Sequence, residues 1–164
     1  MPKVSLSLSF FLLLGAVAAV ARGDTSKRPP NPLLGSWQYE ADGSKFVGRL
    51  PYRSAVVTIT AETAGTRTVE EVVTANGTKF RIEYLDPHDG TFVPVKGNPY
   101  YDSESTTWTG PRTATRKERR GGKDTGTTVM IVSTDGKSFT ADANRIVPEG
   151  SLYQAFVVWR RASP

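Results

Sequence analysis

Asn31-Pro32-Leu33-Leu34-Gly35-Ser36-Trp37-Gln38-Tyr39-Glu40 decides how the rest of the chain is read. Pro32 disfavours helix at Asn31 and cannot continue a ladder, so the chain arrives here as a loop. Leu33 and Leu34 are apolar enough to form a plug or a short helical turn. Gly35 permits a close backbone approach just before the indole. Trp37 is large and apolar, with one N–H that needs an acceptor if buried. The stretch predicts the first strand of a closed antiparallel barrel. Its natural partner is the last strand-like run, Leu152 to Arg161, which ends in Trp159-Arg160-Arg161. A guanidinium laid on the Trp37 face would stabilise that closure by about 0.5–2 kcal/mol. Arg160 is the expected partner, and Arg161 takes the role if the register is off by one.

Turn dipeptides punctuate the chain between these ends: Asp42-Gly43, Asn76-Gly77, Asp89-Gly90, Gly121-Gly122, Asp135-Gly136 and Glu149-Gly150. Most such pairs supply the positive φ of tight hairpins. The runs between them are rich in Val, Ile, Thr, Tyr and Phe, and none sustains a helical period. Ala55, Val57 and Ile59 alternate onto one face of the second run. Thr66 to Thr74 and Thr78 to Leu85 form the clearest hairpin. A two-residue turn at Asn76-Gly77 would pair Val73 with Phe80, Glu71 with Ile82 and Val69 with Tyr84, which turns Glu71 inward. Pro94 makes Phe92 to Val95 an edge or a bulge. Tyr101 to Thr109, Arg112 to Arg120, Lys123 to Ser133 and Lys137 to Arg145 follow. The reading is an all-β chain, an antiparallel meander closed into a barrel of about eight to ten strands.

Met1 to Ala21 stands apart from that pattern. One Lys, an apolar run from Phe10 to Val17 and the small-residue site Ala19-Val20-Ala21 predict a cleaved signal peptide, too short in its apolar part for a membrane span. Residues 22–32 read as a polar, Pro-rich flexible arm and residues 33–161 as a single barrel domain. The chain holds no Cys, so an exported domain must rest on its core alone; about 140 residues suffice for that. The expected location is the periplasm or outside the cell, with no transmembrane segment after cleavage. The formal charge of +5 is mildly basic, and export argues against nucleic acid as a partner.

Chemistry is sparse. The single His, His88, lies in Asp86-Pro87-His88-Asp89-Gly90 and reads as a solvated turn residue rather than part of a triad. One His and no Cys argue against a zinc site. Asp135-Gly136-Lys137-Ser138 lacks the earlier glycine and the strand–loop–helix context of a phosphate loop. No catalytic residue, metal or cofactor is expected.

A Gly-x-Trp on the first strand with an Arg on the last resembles the lipocalin and wider calycin signature. Asp89-Gly90, Pro94-Val95-Lys96-Gly97, Tyr101-Asp102 and Val132-Ser133-Thr134-Asp135-Gly136-Lys137-Ser138-Phe139-Thr140 are similar to a pattern in small exported bacterial lipocalin-like proteins. The resemblance runs from about Asn31 to Arg161. It implies a lipocalin-like barrel but no established reaction. The chain departs from true lipocalins in lacking a Thr-x-Asp-Tyr motif and a disulfide.

Three sets of residues remain as candidates. The aromatics Trp37, Tyr84, Phe92, Tyr100, Tyr101, Trp108, Tyr153, Phe156 and Trp159 either fill the core or line a pocket for a small apolar or amphipathic ligand. Within a pocket, Glu71, Tyr84, Phe92, Tyr101 and Trp108 are the expected contacts, and Gly35, Trp37 and Arg160 the closure. The basic hairpin of Arg112, Arg116, Lys117, Arg119, Arg120 and Lys123 reads as a solvated edge that blocks strand-to-strand aggregation, or as a weak contact for an anionic surface. The function expected is ligand binding without catalysis. The alternatives are a solid-core interaction module and an enzyme using carboxylate or Tyr groups at the barrel mouth.

Overall fold

The computed structural model describes residues 31–147 and 149–162. The expected signal peptide and most of the arm lie outside the described residues. Ten antiparallel strands run in chain order: β1 Gly35–Val47, β2 Tyr52–Glu62, β3 Gly65–Thr74, β4 Lys79–Asp86, β5 Val93–Pro94, β6 Ser103–Trp108, β7 Thr113–Arg120, β8 Lys123–Val132, β9 Ser138–Ile146 and β10 Leu152–Arg161. Each pairs with its sequence neighbour except β4 with β5, and β10 returns to pair with β1. The meander therefore closes into a near-barrel. Its one open seam, between β4 and β5, is drawn together by a bridge in which Glu83 and Lys96 exchange backbone hydrogen bonds of 3.0 and 2.9 Å. Pro94 keeps β5 to two residues, as its missing N–H dictates.

Period-two alternation supplies the core. Ala55, Val57 and Ile59 of β2 are buried, and Val56 between them is exposed. Tyr153, Ala155, Val157 and Trp159 of β10 repeat the pattern, and together with Trp37, Phe139 and Val132 they build one contiguous apolar wall. β1 carries a register break between Glu40 and Lys45. There the Ser44 hydroxyl donates to the Glu40 carbonyl at 2.5 Å and accepts the Val158 N–H at 2.9 Å, so the bulged backbone stays satisfied.

The β3–β4 hairpin differs from its expected register. Its loop has three residues, Ala75, Asn76 and Gly77, closed by Thr74 N–H to Thr78 O (2.9 Å) and Gly77 N–H to Thr74 O (2.8 Å), with Gly77 at φ 89°. Asn76 Oδ1 accepts the Thr74 hydroxyl (2.6 Å) and the Thr78 N–H (3.1 Å), which stabilises the longer loop. Val72 thus pairs with Phe80, Glu71 with Arg81 and Glu70 with Ile82. A one-residue slip reverses every side chain of the strand. Glu71 stands outside, 3.8 Å from Arg81, and Glu70 takes the inward place.

The lower end of the barrel, where β1 begins and β10 ends, is sealed. Trp37 has no exposed surface. Its indole N–H donates to Leu33 O at 2.8 Å; Leu33 is buried, and Leu34 packs against the core at the end of a turn closed by Leu34 N–H to Asn31 O at 3.1 Å. Arg161, not Arg160, lies on the indole, 4.1 Å from its centroid. Trp37 pairs directly with Arg161 in the β1–β10 ladder, and Arg161 shares the inward face with Trp159, two residues earlier. Arg160 points out and meets Glu40 at 3.4 Å. Arg161 also donates to the carbonyls of Leu34 (2.7 Å), Pro32 (3.2 Å) and Gly136 (2.8 Å). Gly35 is required beside it: at φ +119°, an added Cβ would fall 2.6 Å from Arg161 Nη1.

Candidate functional site

The upper half of the interior is polar. Strands β3, β4, β6, β7 and β9 each turn charged or hydroxylated side chains inward, because the inward positions of their alternation are Glu70, Tyr84, Glu104, Arg116 with Glu118, and Arg145. Glu118, with no exposed surface, is the hub. Its Oε1 accepts from Thr128 Oγ1 (2.8 Å), Arg145 Nη2 (2.8 Å) and Arg116 Nε (3.2 Å). Its Oε2 lies 2.8 Å from Arg145 Nε. Arg116 also donates to the Tyr84 hydroxyl at 3.2 Å and approaches Glu104 Oε2 at 3.4 Å. Because Arg116 is shared with Glu118, it does not offset the burial of Glu104. Burial pushes the Glu104 carboxyl up to about 8, with Asp86, Glu118 and Glu70 adding to the rise and Arg116 opposing it. Glu70 is raised for the same first reason, against the pull of Arg116, Arg49 and Arg145. Among the described residues it makes no hydrogen bond or ion pair.

Arg49 stands at the upper mouth. It sits in the short connection between β1 and β2, which Gly48 presses against the start of β10. At φ +77° with a Cβ position 2.3 Å from Leu152 O, only glycine fits there. The Arg49 guanidinium lies 4.7 Å from the Tyr52 centroid, 4.9 Å from Tyr153, 5.0 Å from Tyr100 and 5.8 Å from Phe46. Nη1 donates to the Tyr153 hydroxyl at 3.1 Å and Nε to Leu50 O at 3.3 Å, while Nη2 is buried without a hydrogen-bond partner. Burial holds the Tyr52, Tyr84, Tyr101 and Tyr153 phenols above their usual range, so they remain hydrogen-bond donors.

Between this polar half and the apolar wall lies a cavity of about 70 Å³, bordered by Arg49, Tyr52, Glu70, Phe80, Arg145 and Trp159 among others. It has room for a few ordered waters. Drug-sized ligands occupy roughly 300–1,000 Å³.

A wider cleft of about 590 Å³ opens at the lower end, outside the Trp37 seal, against Trp108, His88, Pro87 and Pro32. His88 is not the solvated turn residue the sequence suggests. At φ 58° it places Nε2 2.6 Å from Thr66 Oγ1 and 3.3 Å from Asn31 Nδ2, and its backbone N–H donates to Asp86 Oδ1 at 2.7 Å. Nδ1 is 3.6 Å from Asp86 Oδ2. The order Thr66, His88, Asp86 has the form of a triad, and Thr66 and His88 both border this cleft, although Thr66 as a whole is only 5% exposed. The cluster ties β3 and β4 to the incoming chain.

The expected ligand contacts therefore separate. Tyr84 and Tyr101 share the chamber. Glu71 is outside, Trp108 lines the lower cleft, and Phe92 lies outside under Arg119, 3.6 Å from its ring centroid. Arg116 leaves the basic hairpin for the interior. Arg119 pairs with Asp124 at 2.6 Å, and Arg120 donates to Pro99 O. Arg112, Lys117 and Lys123 are exposed. Sequence reasoning missed Arg49, Glu70, Glu104, Glu118 and Arg145. The signal for Glu118 was present, since it shares the parity of Ala114 and Arg116 on β7. Among the described residues, no group of three or more His, Asp or Glu could hold a metal ion, and no helix is long and apolar enough to cross a membrane.

No protein-family model and no curated protein matches the chain. The architecture is that of an all-antiparallel, nearly closed ten-stranded barrel.

Proposed function

We propose that this chain is an exported, lipocalin-like barrel that takes up a small amphipathic ligand in the chamber behind Arg49, by burial and without covalent chemistry. One observation carries the reading. At the cavity, an aromatic and aliphatic wall meets a polar wall that holds the half-buried Glu70 carboxyl group and the orphaned, buried Nη2 of Arg49. Unmatched buried polar groups next to apolar surface are costly for a barrel that only packs itself. They suit a guest with both kinds of surface better than a purely apolar one. Entry would require Arg49 to swing out on its short connection, which enlarges the cavity without breaking a strand. Export rests on the leader alone, and the intact mass of the secreted protein tests it; a mature form that retains Met1 contradicts it.

The binding test is titration with environment-sensitive amphipathic probes. The expected result is saturable binding that unlabelled amphipaths displace and that Tyr84→Leu or Tyr101→Leu weakens. The small size of the cavity favours a second reading, a filled barrel whose outer loops bind a partner. Absence of saturable binding across amphipath classes would select it. In that case any contact with an anionic surface falls to Arg112, Lys117, Arg120 and Lys123.

A further inference from the structure

The guanidinium of Arg49 occupies a box of four aromatic rings, Phe46, Tyr52, Tyr100 and Tyr153, with all four centroids 4.7 to 5.8 Å from its central carbon. The box is well built. Tyr100 and Tyr153 are stacked at 5.8 Å with 8° between their planes, and Tyr52 packs on Phe46 at 5.2 Å. Ring faces carry negative potential, so convergent faces make a cation site. The Glu70 carboxylate lines the same chamber and is among the groups whose field acts on Tyr52.

The occupant is poorly matched to this box in one respect. Arginine brings five N–H donors. Here Nε and Nη1 find Leu50 O and the Tyr153 hydroxyl, and Nη2 is buried with nothing to receive its hydrogens. Arg49 forms no ion pair among the described residues. The box therefore supplies ring faces, with the Glu70 carboxyl group lining the same chamber, but no acceptor placed to meet Nη2. A cation with no N–H, a quaternary ammonium, would lose nothing where Arg49 leaves donors unsatisfied. Val47, which ends β1, and Leu50, beside Arg49, are 59% and 48% exposed, so neither side chain anchors the connection in the core.

We propose that the upper mouth is an aromatic cage for small organic cations of the alkylated ammonium type, and that Arg49 is its resident stand-in, displaced when such a cation binds. This deepens the ligand-binding reading and rests on it for the location of the site. The cage competes with its own side chain, so apparent affinity is reduced by the fraction of molecules in which Arg49 is in place.

The test is calorimetric titration of the full mature chain and its Arg49→Ala variant with choline. The controls are 3,3-dimethyl-1-butanol, which has the same shape without the charge, and acetate. Near-UV circular dichroism confirms that the variant is folded. Arg49→Met, which keeps the aliphatic stem, replaces it if the alanine variant is not. The expected result is at least about tenfold tighter choline binding once Arg49 is removed, with neither control binding. Glu70→Gln and Tyr52→Leu, each made in the Arg49→Ala background, should weaken choline binding by about threefold or more. Equal binding of choline and its neutral analogue would overturn the proposal, as would a folded Arg49 variant that binds no choline. Acetate binding that Arg49→Ala abolishes would overturn it too, by making Arg49 an anion anchor instead. If amphipathic probes bind the unaltered chain without preference for positive charge, the cage fails and the ligand-binding reading stands. If choline binds the Arg49 variant while no amphipath binds the parent, the cage stands and that reading fails.

Discussion

Two arginines lie on aromatic faces at opposite ends of this barrel, and they are held in different ways. Arg161 covers Trp37 and spends its donors on three backbone carbonyls, those of Leu34, Pro32 and Gly136. Those carbonyls belong to segments that already meet there, so the contact fastens the two chain ends and the β8–β9 turn together. Arg49 lies among four rings, finds one side-chain acceptor and the carbonyl of its own neighbour, and leaves Nη2 unmatched. A cation on a ring is therefore not by itself a lock. The carbonyls around it decide whether the contact is structural or displaceable.

The largest effect should come from the locked end. Trp37→Ala removes a side chain with no exposed surface, its hydrogen bond to Leu33 and its edge contact with Phe139 at 4.9 Å. Urea denaturation should show a loss of about 3–5 kcal/mol.

The polar half should instead respond to pH. The Glu104 carboxyl is raised from 4.5 to about 8 in the folded chain, so the native state keeps a proton that the unfolded chain gives up above pH 4.5. Stability from this group is fully present below pH 4.5 and is lost as pH rises through about 8. Glu104→Gln should flatten the stability profile across that window, and Trp37→Ala should leave its slope unchanged. A parallel profile for Glu104→Gln and the parent would show that the polar half is not the pH-sensitive one.

Arg161→Ala should cost about 1–3 kcal/mol and combine with Trp37→Ala to less than the sum, because the two share one contact. Arg160→Ala touches only an exposed pair with Glu40 and should cost no more than about 1 kcal/mol. Reversal of that order in thermal melts would mean that the inward parity of β10 is misassigned. Arg49→Ala should have the smallest effect, about 1 kcal/mol or less, since the lost ring contacts are offset by relief of an unsatisfied donor. A cost equal to that of Arg161→Ala would erase the distinction between the two ends.

The barrel was legible in the sequence because turn dipeptides and period-two runs are local signals. Ala55, Val57 and Ile59 face the core as their alternation requires, and the Gly35-Ser36-Trp37 strand does meet the last one. The chamber was much less legible. Asn76-Gly77 places a turn but does not say whether Ala75 belongs to it, and that one residue exchanges Glu71 for Glu70 on the inner face. On β7, the exposed Lys117 and Arg120 and the half-exposed Arg119 make the whole run look like a solvated edge, although Arg116 and Glu118 share the buried parity of Ala114. Arg49 sits in a connection, where no periodicity assigns a direction, and its cage is assembled from three separate regions of the chain.

The most direct test of the difference between the two ends is hydrogen exchange at the arginine Nε–H groups, followed by nitrogen-15 NMR. Arg161 Nε–H is held by Gly136 O at 2.8 Å at the exposed rim of the base, where its other nitrogens are tied to Leu34 O and Pro32 O, and Arg49 Nε–H is held by Leu50 O at 3.3 Å in the β1–β2 connection. A locked base and a displaceable mouth predict that the Arg161 group exchanges at least about a hundredfold more slowly than the Arg49 group. Equal protection at the two sites would contradict the account, because Arg49 would then be as fixed as Arg161 and the chamber would have no mouth.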